Sequence, residues 1–373
     1  MIVGVRVEVS AGAAVVIDSA DSLLLENLEV DGGADAAEVG ATLSAEEEAV
    51  AGLLVAQTDN VTVRQLVVTG FAGFGAVFYE SSGSWNEGSV ENCLGFGVVV
   101  EAGSLELDGV AIRGGQVTDE IGADLQTAMG LVVVGGGHVQ AHDLMIADNQ
   151  GFGLFQANGR TEADSVQIVD NDNAGVWVQD SGVDALALSA GNISGNGGAA
   201  LYLRDSADVS LSDMMVADTR SRPRNFDNRV VDVGDGLHIV GAAGRVQLRD
   251  TTIIGHPRVG LVLDGTGGGN LAGVEAEGLR ILKGDVAERW EPYGLVVQNA
   301  ETTVDGVEVD EELAAQDALL DGELDVLAKS GAVPTIRGIV GENGIVGENG
   351  FVGGGGNIVV ENGIVGENGF NGP

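Results

Sequence analysis

The chain has 373 residues, with 57 acidic side chains against 17 basic ones, a formal net charge of −40, 61 glycines and a mean hydropathy of +0.19. So negative a surface repels phosphate backbones and excludes a nucleic-acid binder, while a hydrophobic content of 44% is too high for a disordered acidic chain. No apolar run approaches the ~20 residues of a membrane span, and the single Cys93 excludes an intrachain disulfide and a cysteine-based zinc site.

In chain order, residues 3–9 alternate apolar and polar like the last strand of a repeated rung, and no capping segment precedes them. Upstream rungs of a longer polypeptide are therefore expected. From Ala14 onward a unit recurs, a small residue followed by alternating apolar ones. It is clearest at Gly52, Gly97, Gly130, Gly175, Gly260 and Gly294, and looser at Gly75, Gly153, Ala200 and Gly236. The basic spacing is 22–25 residues, and four longer gaps hold insertions at about 31–50, 114–128, 219–234 and 282–292. Two more short alternating segments follow each start, as in 61–63 and 66–68. Several units close with an apolar residue, two spacers and an asparagine, Asn149, Asn171 and Asn196. Asparagine tolerates the left-handed conformation of sharp turns, and stacked amides bond along a ladder. Three short strands per unit with Gly and Asn at the corners describe one rung of a parallel β-solenoid.

The pattern apolar-x-x-Asn-x-x-x-Gly-apolar-x-apolar, running over about 14–309, resembles the right-handed parallel β-helix proteins of the pectin-lyase-like fold. The resemblance implies an all-β, three-sheet solenoid of about eleven rungs, and it leaves the activity open, since one fold hosts many functions. It also implies that loops at the insertion corner wall a cleft. The enzymatic motifs of the family are missing. There is no Asp-Asp pair, His138 and His256 stand in Gly-His-Val and Gly-His-Pro, and Ser221-Arg-Pro-Arg-Asn-Phe does not complete a lyase signature.

Period-two alternation points the second residue after each start outward. That position reads Phe155, Trp177, Tyr202 and His238 in four consecutive rungs, and is aliphatic elsewhere. At ~4.8 Å per strand the four side chains make a ladder of ~14 Å, either a stacking platform for sugar rings or apolar surface covered by packing. A second outward row carries Gln179 and Arg204, and the insertion before His238 concentrates Arg220, Arg222, Arg224 and Arg229. Tyr202, His238 and Arg204 with these arginines could bind an anionic glycan, or serve a polysaccharide lyase, Arg neutralising a uronate while Tyr or His moves protons. The plainer reading pairs the arginines with nearby carboxylates.

Metal signals are weak. Residues 170–175 look like half a calcium loop but coincide with a rung-closing turn. His138 and His142 share a strand face with Asp143 adjacent, yet a strand holds two such histidines ~13 Å apart, too far to share an ion. No cofactor is expected, and acidic loops would hold Ca2+ only diffusely. Residues 310–331 carry acids first, leucines at helical spacing, then Lys329 and Gly331, the signature of a helix that would cap the last rung. Residues 332–373 form a Gly/Asn/Glu tail in which Asn343–Phe351 recurs as Asn362–Phe370, and flexibility is expected there. The reading as a whole is a non-catalytic extracellular or cell-surface solenoid, a spacer or a glycan-binding module, with the lyase as the alternative.

Overall fold

The computed structural model describes the chain except residues 9–13, 33–50, 72, 117–127, 183, 207, 227–228, 242–243, 265–273, 285–292, 299–300, 310–335, 340–345, 348–350, 355–356, 361–362 and 365–373. Every element among the described residues is a β-strand. The chain divides into two compact units, 1–177 and 178–373. In the first unit the opening strands of successive rungs, Val15–Asp18, Ala51–Ala56, Phe74–Tyr79, Phe96–Glu101, Met129–Val134 and Phe152–Ala157, pair in parallel in that order. The rest of each rung forms a second parallel sheet through Leu23–Asp31, Val61–Thr69, Ser82–Glu91 and Ser104–Arg113. It continues as two shorter strands per rung, His138–His142 with Met145–Ala147, then Arg160–Asp164 with Gln167–Val169. Ile2–Val3 and Arg6–Glu8 add to its first edge as a partial rung.

The second unit repeats the scheme. Gly198–Arg204, Arg229–Val240, Val259–Asp264 and Tyr293–Gln298 form one parallel sheet. Leu186–Ser194, Val209–Ala217, Val246–Arg249 with Thr252–Ile254, Val274–Leu282 and Glu301–Val309 form the other. The chain is a right-handed parallel β-helix, the handedness that twisted strands impose on parallel crossovers.

Left-handed residues turn the corners. Within the long second sheet one such residue per rung bends the chain: Asn27, Gln65, Glu87, Gly109, Ala190, Asp213 and Gly278 lie inside one strand, whereas Asp143, Ser165 and Asp250 separate two shorter ones. Two of the three expected strands of a rung thus share one folded sheet. The closing asparagines play a different part from the one their conformational tolerance suggests. The residue before each, Asp148, Asp170 or Gly195, takes the positive φ (56°, 56° and 64°). The asparagines themselves are buried, and the Asn149 amide donates to Asn171 Oδ1 at 2.8 Å while Asn149 Oδ1 accepts from the Gly115 N–H at 3.0 Å. Corner amides inside the coil would otherwise leave backbone groups unsatisfied, which is costly.

Inward positions are mostly Leu, Val and Ile, with Phe78 and Trp85 among the largest buried groups, and strands such as Ala51–Ala56 bury Leu53 and Val55 almost completely. The starting glycine is demanded by contact. A Cβ on Gly130 would stand 2.7 Å from the Gly153 carbonyl oxygen and inside the Ile146 side chain. Cys93 lies in this core, and burial pushes its thiol up to about 11, so it is a packing group.

Only one insertion is described at length. Arg222–Phe226 folds back antiparallel on Arg229–Val240, a hairpin whose second strand runs straight into the rung that carries His238. Most of 31–50, 114–128 and 282–292, and the helix expected over 310–331, lie outside the described residues. In the tail, Ile336–Ile339 pairs antiparallel with Glu301–Val309, and the two copies of the repeated segment meet through Val346–Gly347 and Gly363–Ile364.

Candidate functional site

The outward aromatic positions are not open. In the first unit Trp177 is 8% exposed and tilts against Phe152 at 5.1 Å, and Phe155, half-buried, stacks on the same ring at 6.0 Å. In the second unit Tyr202 is 7% and His238 2% exposed, edge to face at 5.2 Å. A sugar needs the flat of a ring, and of the two readings of this row the burial of Trp177, Tyr202 and His238 favours covered packing. Pointing away from the coil interior is a property of the strand, and exposure depends on what lies over it.

The expected Tyr/His/Arg group divides accordingly. Tyr202 and His238 are paired neighbours on adjacent strands, whereas Arg204, further along, forms an exposed ion pair with Asp205 at 3.3 Å. Arg220 is exposed, and its backbone N–H donates to Asn196 O at 2.7 Å. Arg222 is half-buried at the start of the hairpin and Gln179 half-buried at a strand end. The side chains of Arg224 and Arg229 lie outside the described residues. His238 instead belongs to a buried charge cluster that composition alone does not reveal. Its Nδ1 donates to Asp235 Oδ2 at 3.0 Å, and Arg258 grips both oxygens of Asp235, with Nε at 2.6 Å from Oδ1. Burial alone would raise the Asp235 carboxyl, but the Arg258 guanidinium and the His238 ring outweigh it and hold it at about 2. A second buried histidine, His256, takes the ladder position that asparagines hold in the first unit. Its Nδ1 accepts from the Thr219 hydroxyl at 2.7 Å and its Nε2 donates to Val216 O at 3.1 Å. Burial pushes it down to about 4, so it is neutral.

An open groove lies elsewhere among the described residues, on the second sheet of the first unit. A groove of about 390 Å³ crosses the strands that begin at Val61, Ser82, Ser104 and His138. Register aligns Thr62, Ser84, Glu106 and Gln140 in one row along it, one side chain per rung. Ser82, Ser104 and His138 form the row beside it. These are hydroxyl, carboxylate, amide and imidazole groups, half-buried or exposed, over a floor of buried Val61 and Leu105. His138 stands 3.5 Å from Glu162 on the next strand. The sequence signal was available, since outward residues of the middle segment are polar in every one of these rungs.

No protein-family model and no curated protein matches the chain. Among solved structures it is similar to the Dettilon tailspike protein (9% identity, TM-score 0.42, 70% of this chain and 57% of that one). It is also similar to the pectate lyase Pel9A (14%, 0.34, 68% and 62%) and to the enzymatically active domain of bacteriophage CBA120 tailspike protein 2 (9%, 0.39, 68% and 43%). The chain therefore spans less than two thirds of the length of each, and identities this low carry no residue across.

Proposed function

We propose that this protein is a non-catalytic extracellular solenoid that binds a glycan along the second sheet of its first unit. The observation that carries the reading is the registered polar row, Thr62, Ser84, Glu106 and Gln140, lining a groove. Strand spacing repeats the row every ~4.8 Å, so four rungs offer ~14 Å of evenly spaced donors and acceptors. That suits an extended chain of hydroxyl groups better than a compact apolar ligand, whose pockets are enclosed and lined by hydrocarbon. A net charge of −40 and Glu106 within the row disfavour a polyanion, which leaves a neutral polysaccharide as the preferred ligand.

Retention on an array of neutral and uronate polysaccharides tests this. The parent protein should be retained by a neutral glycan, and the double variant Glu106→Ala, Gln140→Ala should lose at least tenfold in affinity. If no glycan retains the parent, or the double variant binds as well as the parent, the reading fails. Incubation with polyuronates, followed by ultraviolet absorbance for unsaturated ends, should give no signal. Steady growth of absorbance would favour the lyase alternative.

A further inference from the structure

The geometry points to a divalent transition-metal site on the same unit, built from Asp108, His142 and Asp143 and independent of the glycan reading. The sequence offers His142 as the last residue of the strand His138–His142, pointing outward. The other histidine of that strand, His138, is too distant to share an ion. The partners come from across the strands. Register places Asp108 directly beside His142 on one side and Asp164 on the other. The next residue, Asp143, occupies the corner with φ 49°, and this brings its carboxylate back to the ring it follows.

One donor atom from each of Asp108, His142 and Asp143 lies within 4.8 Å of the other two. His142 Nε2 and Asp143 Oδ2 are 3.5 Å apart. Donors bound at ~2.0–2.1 Å around a tetrahedral ion stand ~3.4 Å from one another, so this separation is that of two ligands of one metal. The opposite ring nitrogen supplies a second, separate observation. Nδ1 stands 3.2 Å from Asp164 Oδ2, on the other side of the ring from the Nε2 that faces Asp143. Metal-binding histidines are commonly oriented by a carboxylate in this way. Two carboxylates brought this close on a chain already at −40 repel each other, and a bound dication would cancel that repulsion. An imidazole with two carboxylates suits Zn2+ or Ni2+. Calcium, which takes six to eight oxygens, is poorly served. Three protein donors leave a coordination position open to water or to a ligand group.

The full chain, stripped with a chelator and dialysed, is titrated with Zn2+ and separately with Ca2+ by calorimetry, and with Co2+ by visible absorbance. One saturable Zn2+ site is expected, with Co2+ bands typical of low coordination number and no matching Ca2+ isotherm. His142→Ala should abolish the site and the Co2+ bands, Asp164→Asn should weaken Zn2+ binding by roughly 10–100-fold, and His138→Ala should leave it intact. Circular dichroism checks that the exposed substitutions leave the fold unchanged. The proposal is overturned if the parent shows no saturable Zn2+ binding, if Ca2+ gives the same isotherm, or if His142→Ala binds Zn2+ like the parent.

Discussion

Two histidine–aspartate pairs, one in each unit, share their chemistry and differ in everything around it. His238 and Asp235 in the second unit are 2% and 0% exposed, and Arg258 closes the pair from the side. His142 lies among Asp108, Asp143 and Asp164 in the first unit with its side chain 56% exposed. Both histidines sit at outward positions of a strand. The buried pair is compensated by a guanidinium from the next rung and is a structural charge cluster. The exposed one has carboxylates on every side that register supplies, and is available to a cation. Burial, rather than residue type, separates a fold-holding group from a candidate ligand.

The largest effect should come from breaking the buried cluster. Arg258→Met leaves Asp235 charged in the interior, and loss of one partner of a buried pair costs about 3–5 kcal/mol. Urea unfolding should show it as a fall in midpoint at neutral pH. A change below 1 kcal/mol would mean that the cluster is not the compensated pair described here.

Acid should act on the second unit through the other buried histidine as well. His256 is held at about 4 by burial, against ~6.5 when unfolded, so the unfolded chain takes up the proton first. The stability linked to neutral His256 is complete above pH ~6.5 and is lost as pH falls towards 4, a change of roughly 3 kcal/mol. Asp235, held at about 2, adds a further loss only below the ~3.9 of a free aspartate. Stability measured between pH 7 and 4 should fall in the parent and stay nearly level in His256→Asn, which places a ladder amide at that position. Parallel curves would sink the assignment.

Packing supplies the next effect, in the first unit. Gly130→Ala forces a methyl against the Gly153 carbonyl and the Ile146 side chain, and overpacking of this kind costs about 1–3 kcal/mol. Thermal unfolding of the variant checks it, and an unchanged melting temperature would show that the rungs can part to make room. The smallest effect is expected at the surface. Arg113 and Glu91 form an ion pair at 2.9 Å with the arginine half exposed, and Arg113→Gln should change stability by about 0–1 kcal/mol. A larger loss there would erase the contrast between covered and open charges.

Much of the fold was legible from residues alone. The starting glycines, the inward Val and Leu and the closing asparagines are forced by local sterics and by a period-two strand, and they recur in several of the rungs that the structure describes. The Asn149–Asn171 ladder follows from the same repetition. The candidate sites were less legible. Alternation along the strand singles out Trp177, Tyr202 and His238, but their burial depends on neighbouring side chains such as Phe152 that the strand's own pattern does not reveal. Asp235, Arg258 and His256 are scattered polar residues whose meeting depends on which rung follows which. The helix expected over 310–331 lies outside the described residues.

The sequence by itself determined the rung, because a strand's alternation, a left-handed corner and a close glycine contact are each local demands on a few residues. Tertiary structure alone decided which outward residues meet water and which meet each other. Coiling brings residues 22–40 positions apart in the chain to within a strand's spacing, as it does for Asp108, His142 and Asp164. The chemistry of this molecule is written across its rungs, where no reading along the chain can follow it.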